Sequence, residues 1–88
     1  MTIERVARVP TARWRYCVGG VVVMAADTPE PVHLATPGGA IWRLLEMPRT
    51  VTELADELQG QFAGDIATIV RDVEAFVTEL AVAGLVER

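Results

Sequence analysis

Residues 32–45 have the sequence VHLATPGGAIWRLL, in which a strand pattern is followed at once by a helical pattern. Residues 32–35 alternate between two faces, which is the period of a β-strand. Thr36 can act as a helix N-cap with Pro37 at the first helical position, where a missing N–H costs nothing. The segment therefore predicts that a β region ends and an α region begins near Thr36.

A β-hairpin is predicted upstream of this point. Residues 12–18 alternate, with aromatic side chains on one face and arginines on the other. Gly19-Gly20 is a tight-turn signal, and a β-branched run follows it. We therefore expect strands at about 12–18 and 20–25, with 32–35 as a third strand.

The segments on either side of the hairpin are less regular. Residues 26–31 contain two prolines and two acidic residues, which predicts a loop. The apolar residues within 3–9 fit neither the strand nor the helix period, so a further strand there is left open.

A second helix is predicted after Pro48, which ends the first one. Thr50 and Glu53 match a capping box, in which each side chain accepts a hydrogen bond from the other residue's free N–H. The helix is expected to run to about Gln59, with Gly60 as its C-terminal stop. Its predicted buried residues are Leu54, Ala55 and Leu58.

A third helix, predicted from about Asp65 to Ala83 with Gly84 as its stop, has a broad apolar face. That face spans about 160°, whereas a helix on a small core usually needs little more than ~100°. One edge of the face consists of Ile69, Phe76 and Ala83, and the other of Ile66, Val70, Val77 and Ala81. Either the whole face is core, or the second edge lines a groove that a ligand fills. Residues 85–86 are expected to fold back onto the core.

The composition argues against catalysis and against a metal site. The chain has 88 residues, enough for one small domain, and it lacks Ser and Lys, which excludes a serine nucleophile and a Walker-type phosphate loop. Cys17 and His33 are too few for a structural zinc site, which takes about four ligands. A Cys–His dyad would also need an orienting group and an oxyanion pocket. We therefore predict a binding module without catalytic residues, metal or cofactor.

Membrane and secretion signals are missing from the sequence. The longest apolar run, residues 16–26, is shorter than the ~20 residues of a spanning helix. Residues 1–10 carry charges and no hydrophobic stretch, which is unlike a signal peptide. A single cysteine suits a reducing compartment. We expect a cytoplasmic protein that does not bind membranes.

Three segments in order resemble the PqqD-like family. Residues 32–45 resemble its strand-to-helix string, hydrophobic-x-Leu-Asn-x-Thr-Gly-x-x-Ile-Trp-x-Leu, and RTVTELA at 49–55 resembles its second-helix signature. DVEAFVTEL at 72–80, with GLV at 84–86, is similar to its ending. The likeness covers about residues 18–88.

Two positions depart from the family pattern: Ala35 stands where Asn is usual, and Gly38-Gly39 where Thr-Gly is usual. The resemblance nevertheless implies one domain over residues 1–88, with an α+β fold related to the winged helix-turn-helix. In that fold a three-stranded antiparallel sheet precedes three helices.

The family resemblance also implies a function, namely recognition of precursor peptides that are made ribosomally and then modified (a RiPP recognition element). Such domains bind the leader segment of the precursor as an added strand on their third strand, and its side chains enter a groove beside the third helix. A free-standing chain of this size resembles the versions in lasso-peptide and pyrroloquinoline quinone pathways. These deliver the precursor to a separate enzyme, which is a leader peptidase in lasso systems.

The expected peptide-binding residues lie on the third strand and on one edge of the third helix. The strand residues 32–35 offer backbone groups to an extended peptide, and helix side chains offer pockets. Glu74 is placed to meet a basic leader residue, a contact worth about 0–1 kcal/mol if it is exposed. The full set is Val32, His33, Leu34, Ala35, Ile66, Val70, Val73, Glu74 and Val77.

Two other functions are weighed against peptide binding. Winged helices often bind nucleic acid, but residues 21–88 carry a net charge of −7, whereas residues 1–20 carry +3. Repulsion between the acidic helices and phosphates disfavours a DNA-reading role. A self-assembling adaptor, in which the free strand edge pairs two copies of the chain, remains a third possibility.

Overall fold

The architecture is a small antiparallel sheet followed by three helices. The computed structural model describes residues 4–27 and 30–88. Its elements, in chain order, are β1 (Ala7–Arg8), β2 (Arg13–Cys17), β3 (Gly20–Met24), β4 (Val32–Ala35), α1 (Gly38–Leu44), α2 (Val51–Gln61), α3 (Ile66–Val82) and β5 (Val86–Glu87). The predicted α+β class, the hairpin and the third strand are confirmed.

The main sheet has the order β2-β3-β4, and both pairings are antiparallel. Val21 lies opposite Tyr16 on one side and opposite Leu34 on the other, so these three side chains share a face. On that face Val21 and Val23 are buried under the helices. The opposite face, which carries Arg13, Arg15 and His33, points away from the core.

A second, two-stranded sheet joins the start and the end of the chain. Ala7 lies opposite Glu87 and Arg8 opposite Val86, and Val6 forms an isolated bridge with Arg49. This answers the question left open at 3–9, where residues 7–8 form a strand. Residue 3 and residues 28–29 of the predicted loop lie outside the described residues.

The helix boundaries follow local signals with two exceptions. The capping box is present, with Thr50 Oγ1 accepting from the Glu53 N–H at 3.0 Å and Glu53 Oε1 accepting from the Thr50 N–H at 2.8 Å. Asp65 caps α3, and Gly84 follows it with a positive φ of 77°. The predicted stop at Gly60 is wrong, because α2 continues to Gln61. A glycine inside a helix costs only about 1 kcal/mol, which packing on either side can offset.

The second exception is the start of α1. Thr36 was expected to be the N-cap, but Pro37 occupies that position, and no side chain caps the helix. The first intrahelical bond runs from the Ile41 N–H to the Pro37 carbonyl at 3.1 Å. Gly38 and Gly39 therefore form the first turn, and both are buried.

The core lies between the sheet and the helices and contains no buried charged residue among those described. Trp42 is fully buried at its centre, and residues 85–86 fold back onto it as expected. The α2 residues predicted to be buried are all buried. The core residues are Val6, Val21, Val23, Ala25, Leu34, Ile41, Trp42, Leu45, Leu54, Ala55, Leu58, Val73, Val77, Leu80, Leu85 and Val86. Within residues 4–27 and 30–88, no helix has the length and apolar character that crossing a bilayer requires.

Candidate functional site

Strand β4 has an unpaired edge. β3 covers one side of it, and no strand in the described parts of the chain pairs along the other. No hydrogen bond from a loop or helix backbone of these parts reaches residues 32–35 either. The N–H and C=O groups on this edge are therefore free to pair with an extended chain.

A cavity of about 590 Å³ opens beside this edge. One wall is residues 33–38, where β4 passes into α1, and the other is the first half of α3 with the end of α2. Its lining is mainly apolar, from Leu34, Ile41, Leu58, Phe62, Ile69, Val73 and Phe76. A cavity of this size accommodates more than one amino-acid side chain.

The polar residues that line the cavity include His33 and Asp72, one on each wall, although the His33 side chain belongs to the outer face of the sheet. Neither forms a hydrogen bond or an ion pair with any residue in 4–27 or 30–88. Asp72 therefore presents an unpaired carboxylate at the rim of an apolar cavity. Such a group suits a cationic or N–H-donating ligand.

Cys17 and His33 do not form a nucleophile–base pair. Cys17 is exposed on β2, and two strand spacings, about 10 Å, separate it from β4, which carries His33. A nucleophile and its base must lie within about 3 Å of each other. No cluster of potential metal ligands occurs among the described residues.

Four of the predicted contact residues line this cavity: His33, Leu34, Ala35 and Val73. Val32 lies at the far end of β4, where it lines a smaller depression of about 380 Å³ with Val82 and Leu85. The strand edge is thus flanked by recesses at both of its ends.

The predicted division of the α3 face is reversed. Val77 is completely buried, whereas Ile69 and Phe76 are half-buried and line the cavity. The reason is that α3 turns Val73, Val77 and Leu80 into the core, and this rotation brings residues 69 and 76 to the β4 side. Of the other predicted edge residues, Val70 packs half-buried against the core and Ile66 is 36% exposed, and neither lines the cavity.

Glu74 is engaged elsewhere. Its Oε1 lies 2.7 Å from Arg88 Nη1, and Arg88 also pairs with Glu4. Hydrogen bonds to these two carboxylates raise the pKa of Arg88. Glu74 is absent from the cavity lining, and the carboxylate that the cavity does contain, Asp72, was missed. The sequence feature that indicates Asp72 is the spacing of residues 69, 72, 73 and 76, which places all four on one helical face.

The fold closely matches solved structures. TbiB1 in complex with the TbiA(beta) leader peptide aligns with a TM-score of 0.85 and 26% identity, over 92% of this chain and 94% of that one. The solution NMR structure of the PqqD truncation of Methylobacterium extorquens PqqCD aligns with a TM-score of 0.78 and 22% identity, over 96% and 89% of the two chains. That truncation is described as a functional, stand-alone RiPP recognition element.

Sequence comparison assigns the family directly. No curated protein sequence matches the chain. The sequence profile of coenzyme PQQ synthesis protein D, however, matches residues 20–86, which include β3, β4 and all three helices. The chain therefore belongs to the PqqD family.

Proposed function

We propose that this chain binds the leader segment of a ribosomal precursor peptide as an additional strand on β4 and delivers it to a separate maturation enzyme. The observation that carries the proposal is the free edge of β4 next to an apolar cavity. Strand addition needs both features, because backbone hydrogen bonds hold the peptide and side-chain pockets select its sequence.

The cavity suits apolar leader side chains at alternate positions. In an added strand, every second side chain points to the same side, with about 7 Å between them. Two such side chains would reach the wall formed by Leu34, Ile69 and Phe76. Burying one large apolar side chain is worth about 1.5–3 kcal/mol before the entropy cost of ordering the peptide.

Asp72 takes over the role that was expected of Glu74. It is unpaired and stands at the cavity rim, so a leader Lys or Arg beside the apolar side chains would meet it. Because Asp72 is exposed, this pair would add only about 0–1 kcal/mol and would weaken in salt. It therefore contributes more to choosing the leader than to holding it.

The proposed contact set is revised accordingly. It keeps Val32, His33, Leu34, Ala35 and Val73, and it adds Ile69, Asp72 and Phe76. Ile66 and Val70 stay as flanking candidates. Val77 and Glu74 are withdrawn, since one is fully buried and the other is paired with Arg88.

The relatives support this reading. TbiB1, with the same fold, carries a leader peptide in its solved complex. We infer that the present chain is likewise a non-catalytic recognition element, of the lasso-peptide type, acting in the cytoplasm on a precursor that a leader peptidase or another maturation enzyme then processes. It needs no cofactor, nucleic acid or membrane for this task.

Backbone hydrogen exchange tests the proposal. A synthetic peptide of the precursor's leader segment should slow amide exchange at 32–35 and leave the amides of α2 unchanged. Tight binding without protection at 32–35 would contradict strand addition. Light scattering of the same samples separates self-assembly, because two copies pairing through β4 would dissociate as the leader occupies that edge.

A further inference from the structure

The opposite edge of the sheet carries an ordered group of arginines and aromatic rings. The Arg8 guanidinium carbon lies 4.5 Å from the ring centre of Trp14 and 4.9 Å from that of Trp42, and its Nε donates to the Trp42 carbonyl at 3.1 Å. The guanidinium of Arg43 lies 4.3 Å from the ring centre of Tyr16. We call Arg8, Trp14, Tyr16 and Arg43 the arginine–aromatic patch.

The patch is both held in place and open to solvent. Trp14 and Tyr16 pack edge to face, with ring centres 5.2 Å apart, yet they remain 39% and 51% exposed. Stacked side chains of this kind lose little freedom when a partner binds. Trp, Tyr and Arg are also the residues that most often dominate protein–protein binding energy.

The positive charge at this edge is not neutralised. Arg13 and Arg15 lie on the same strand, β2, but on the opposite face of the sheet, and neither they nor Arg43 pairs with a carboxylate in residues 4–27 and 30–88. The two ion pairs in these residues both involve Arg88, at the C-terminal end of the sequence. The N-terminal 20 residues carry a net +3 in a chain whose total is −4.

We propose that the arginine–aromatic patch is the docking surface for an acidic protein surface on the maturation enzyme. This inference rests on the proposed function, because it gives the enzyme a binding surface separate from the β4 edge that the leader occupies. β3 separates the two edges, so β2 and β4 lie about 10 Å apart and both can be occupied at once.

Charge also favours this partner over two others. A nucleic acid would bring phosphates close to a chain with −7 in its remaining residues. A symmetric dimer through this surface would place arginines against arginines, which repel each other. An acidic protein surface that contacts only the patch avoids both kinds of repulsion.

Heteronuclear NMR tests the docking surface with a defined probe. The probe is a short peptide of alternating Glu and Phe, and its controls are the same peptide with Lys for Glu and a short DNA duplex. We expect the Glu peptide to shift the indole N–H signal of Trp14 and the amides of β2, whether or not leader peptide is bound. The Lys peptide should shift neither.

Charge reversal provides the matched comparison. Arg43→Glu should weaken Glu-peptide binding at least tenfold, whereas Arg71→Glu, which makes the same charge change at an exposed arginine on α3, should change it less than twofold. The proposal is overturned if the Trp14 signal does not move, if the Arg43→Glu variant binds equally well, or if only DNA or a second copy of the chain occupies β2. Shifts at 32–35 on adding leader report separately on the proposed function.

Discussion

Phe76 packs against Gly38 where no side chain could fit between them. A β-carbon built on Gly38 would lie 2.9 Å from Cζ and 3.2 Å from Cε1 of the Phe76 ring. Both residues line the cavity beside β4, one from the first turn of α1 and one from α3. The absence of a side chain at Gly38 thus leaves room for the Phe76 ring against the first turn of α1.

Gly38→Ala should therefore act on binding more than on folding. The atom in the way is the far end of a side chain, so the ring can swing aside, but it then moves into the cavity. We expect leader affinity to fall about tenfold, or ~1.4 kcal/mol, with a smaller loss of stability. Titration calorimetry and urea melts on the same variant measure the two effects.

Gly60→Ala is the matched control for this change. A β-carbon there meets nothing within 4 Å, and the residue lies inside α2 away from the cavity. It should stabilise the fold by about 0.5–1 kcal/mol and leave leader affinity unchanged. Equal affinity for both glycine variants would mean that Gly38 does not shape the binding site.

Adjacent residues on α3 should separate binding from folding. Val77 is 0% exposed, so Val77→Ala should cost about 2 kcal/mol of stability while the folded protein binds leader normally. Phe76→Ala removes a half-buried ring from the wall of the cavity. The folded fraction of this variant should bind leader more weakly than the unaltered chain does. The measurement is leader titration without urea, at a temperature where both variants are fully folded. A normal affinity for Phe76→Ala would remove it from the contact set.

Gly20→Ala should disrupt the sheet itself. A β-carbon at Gly20 would lie 2.1 Å from the carbonyl oxygen of Leu34, on the neighbouring strand. Because the obstacle is backbone, β3 and β4 must move apart, and we expect a loss of more than about 2 kcal/mol. Thermal melts followed by circular dichroism measure this. Gly19→Ala introduces a side chain at a positive φ of 85° but meets no atom within 4 Å, so it carries backbone strain without the clash. A melting temperature for Gly20→Ala no lower than that of Gly19→Ala would contradict the expected clash.

Local signals explain what could be predicted from the sequence. The Gly19-Gly20 turn, the Thr50–Glu53 box and the Asp65 cap each act within a few residues, and the elements they bound were predicted to within about two residues. The β1–β5 pairing was not predictable, because two-residue strands at opposite ends of the chain leave no periodic pattern.

The face of α3 required information that the sequence does not contain. Its apolar arc includes both the core stripe and the cavity wall, and both follow the same helical period. Which edge faces β4 depends on how α3 rotates against α2 and the sheet. Composition cannot decide this. The sequence therefore predicts Val77 at the groove and Phe76 on the core side, the reverse of their places in the structure.

Glu53 makes the stability of α2 depend on pH. The hydrogen bond from the Thr50 N–H is the main reason that the pKa of Glu53 lies below its ordinary value, and Arg5 and Arg49 add to the effect. Because the folded state holds this carboxyl with the lower pKa, the stabilisation is complete above the ordinary glutamate pKa, about 4.3, and is lost as the pH falls through the folded pKa.

Glu53→Gln should therefore unfold at a lower urea concentration than the unaltered chain at pH 7, and the two should converge near pH 3. Glutamine keeps an acceptor for the Thr50 N–H but lacks the charge, so the comparison isolates the ionised form. Glu57→Gln, on the exposed side of the same helix, makes the same change in net charge outside the box. If Glu57→Gln gives the same pH-dependent difference, net charge rather than the capping box is responsible; a difference confined to Glu53→Gln assigns it to the hydrogen bond with Thr50.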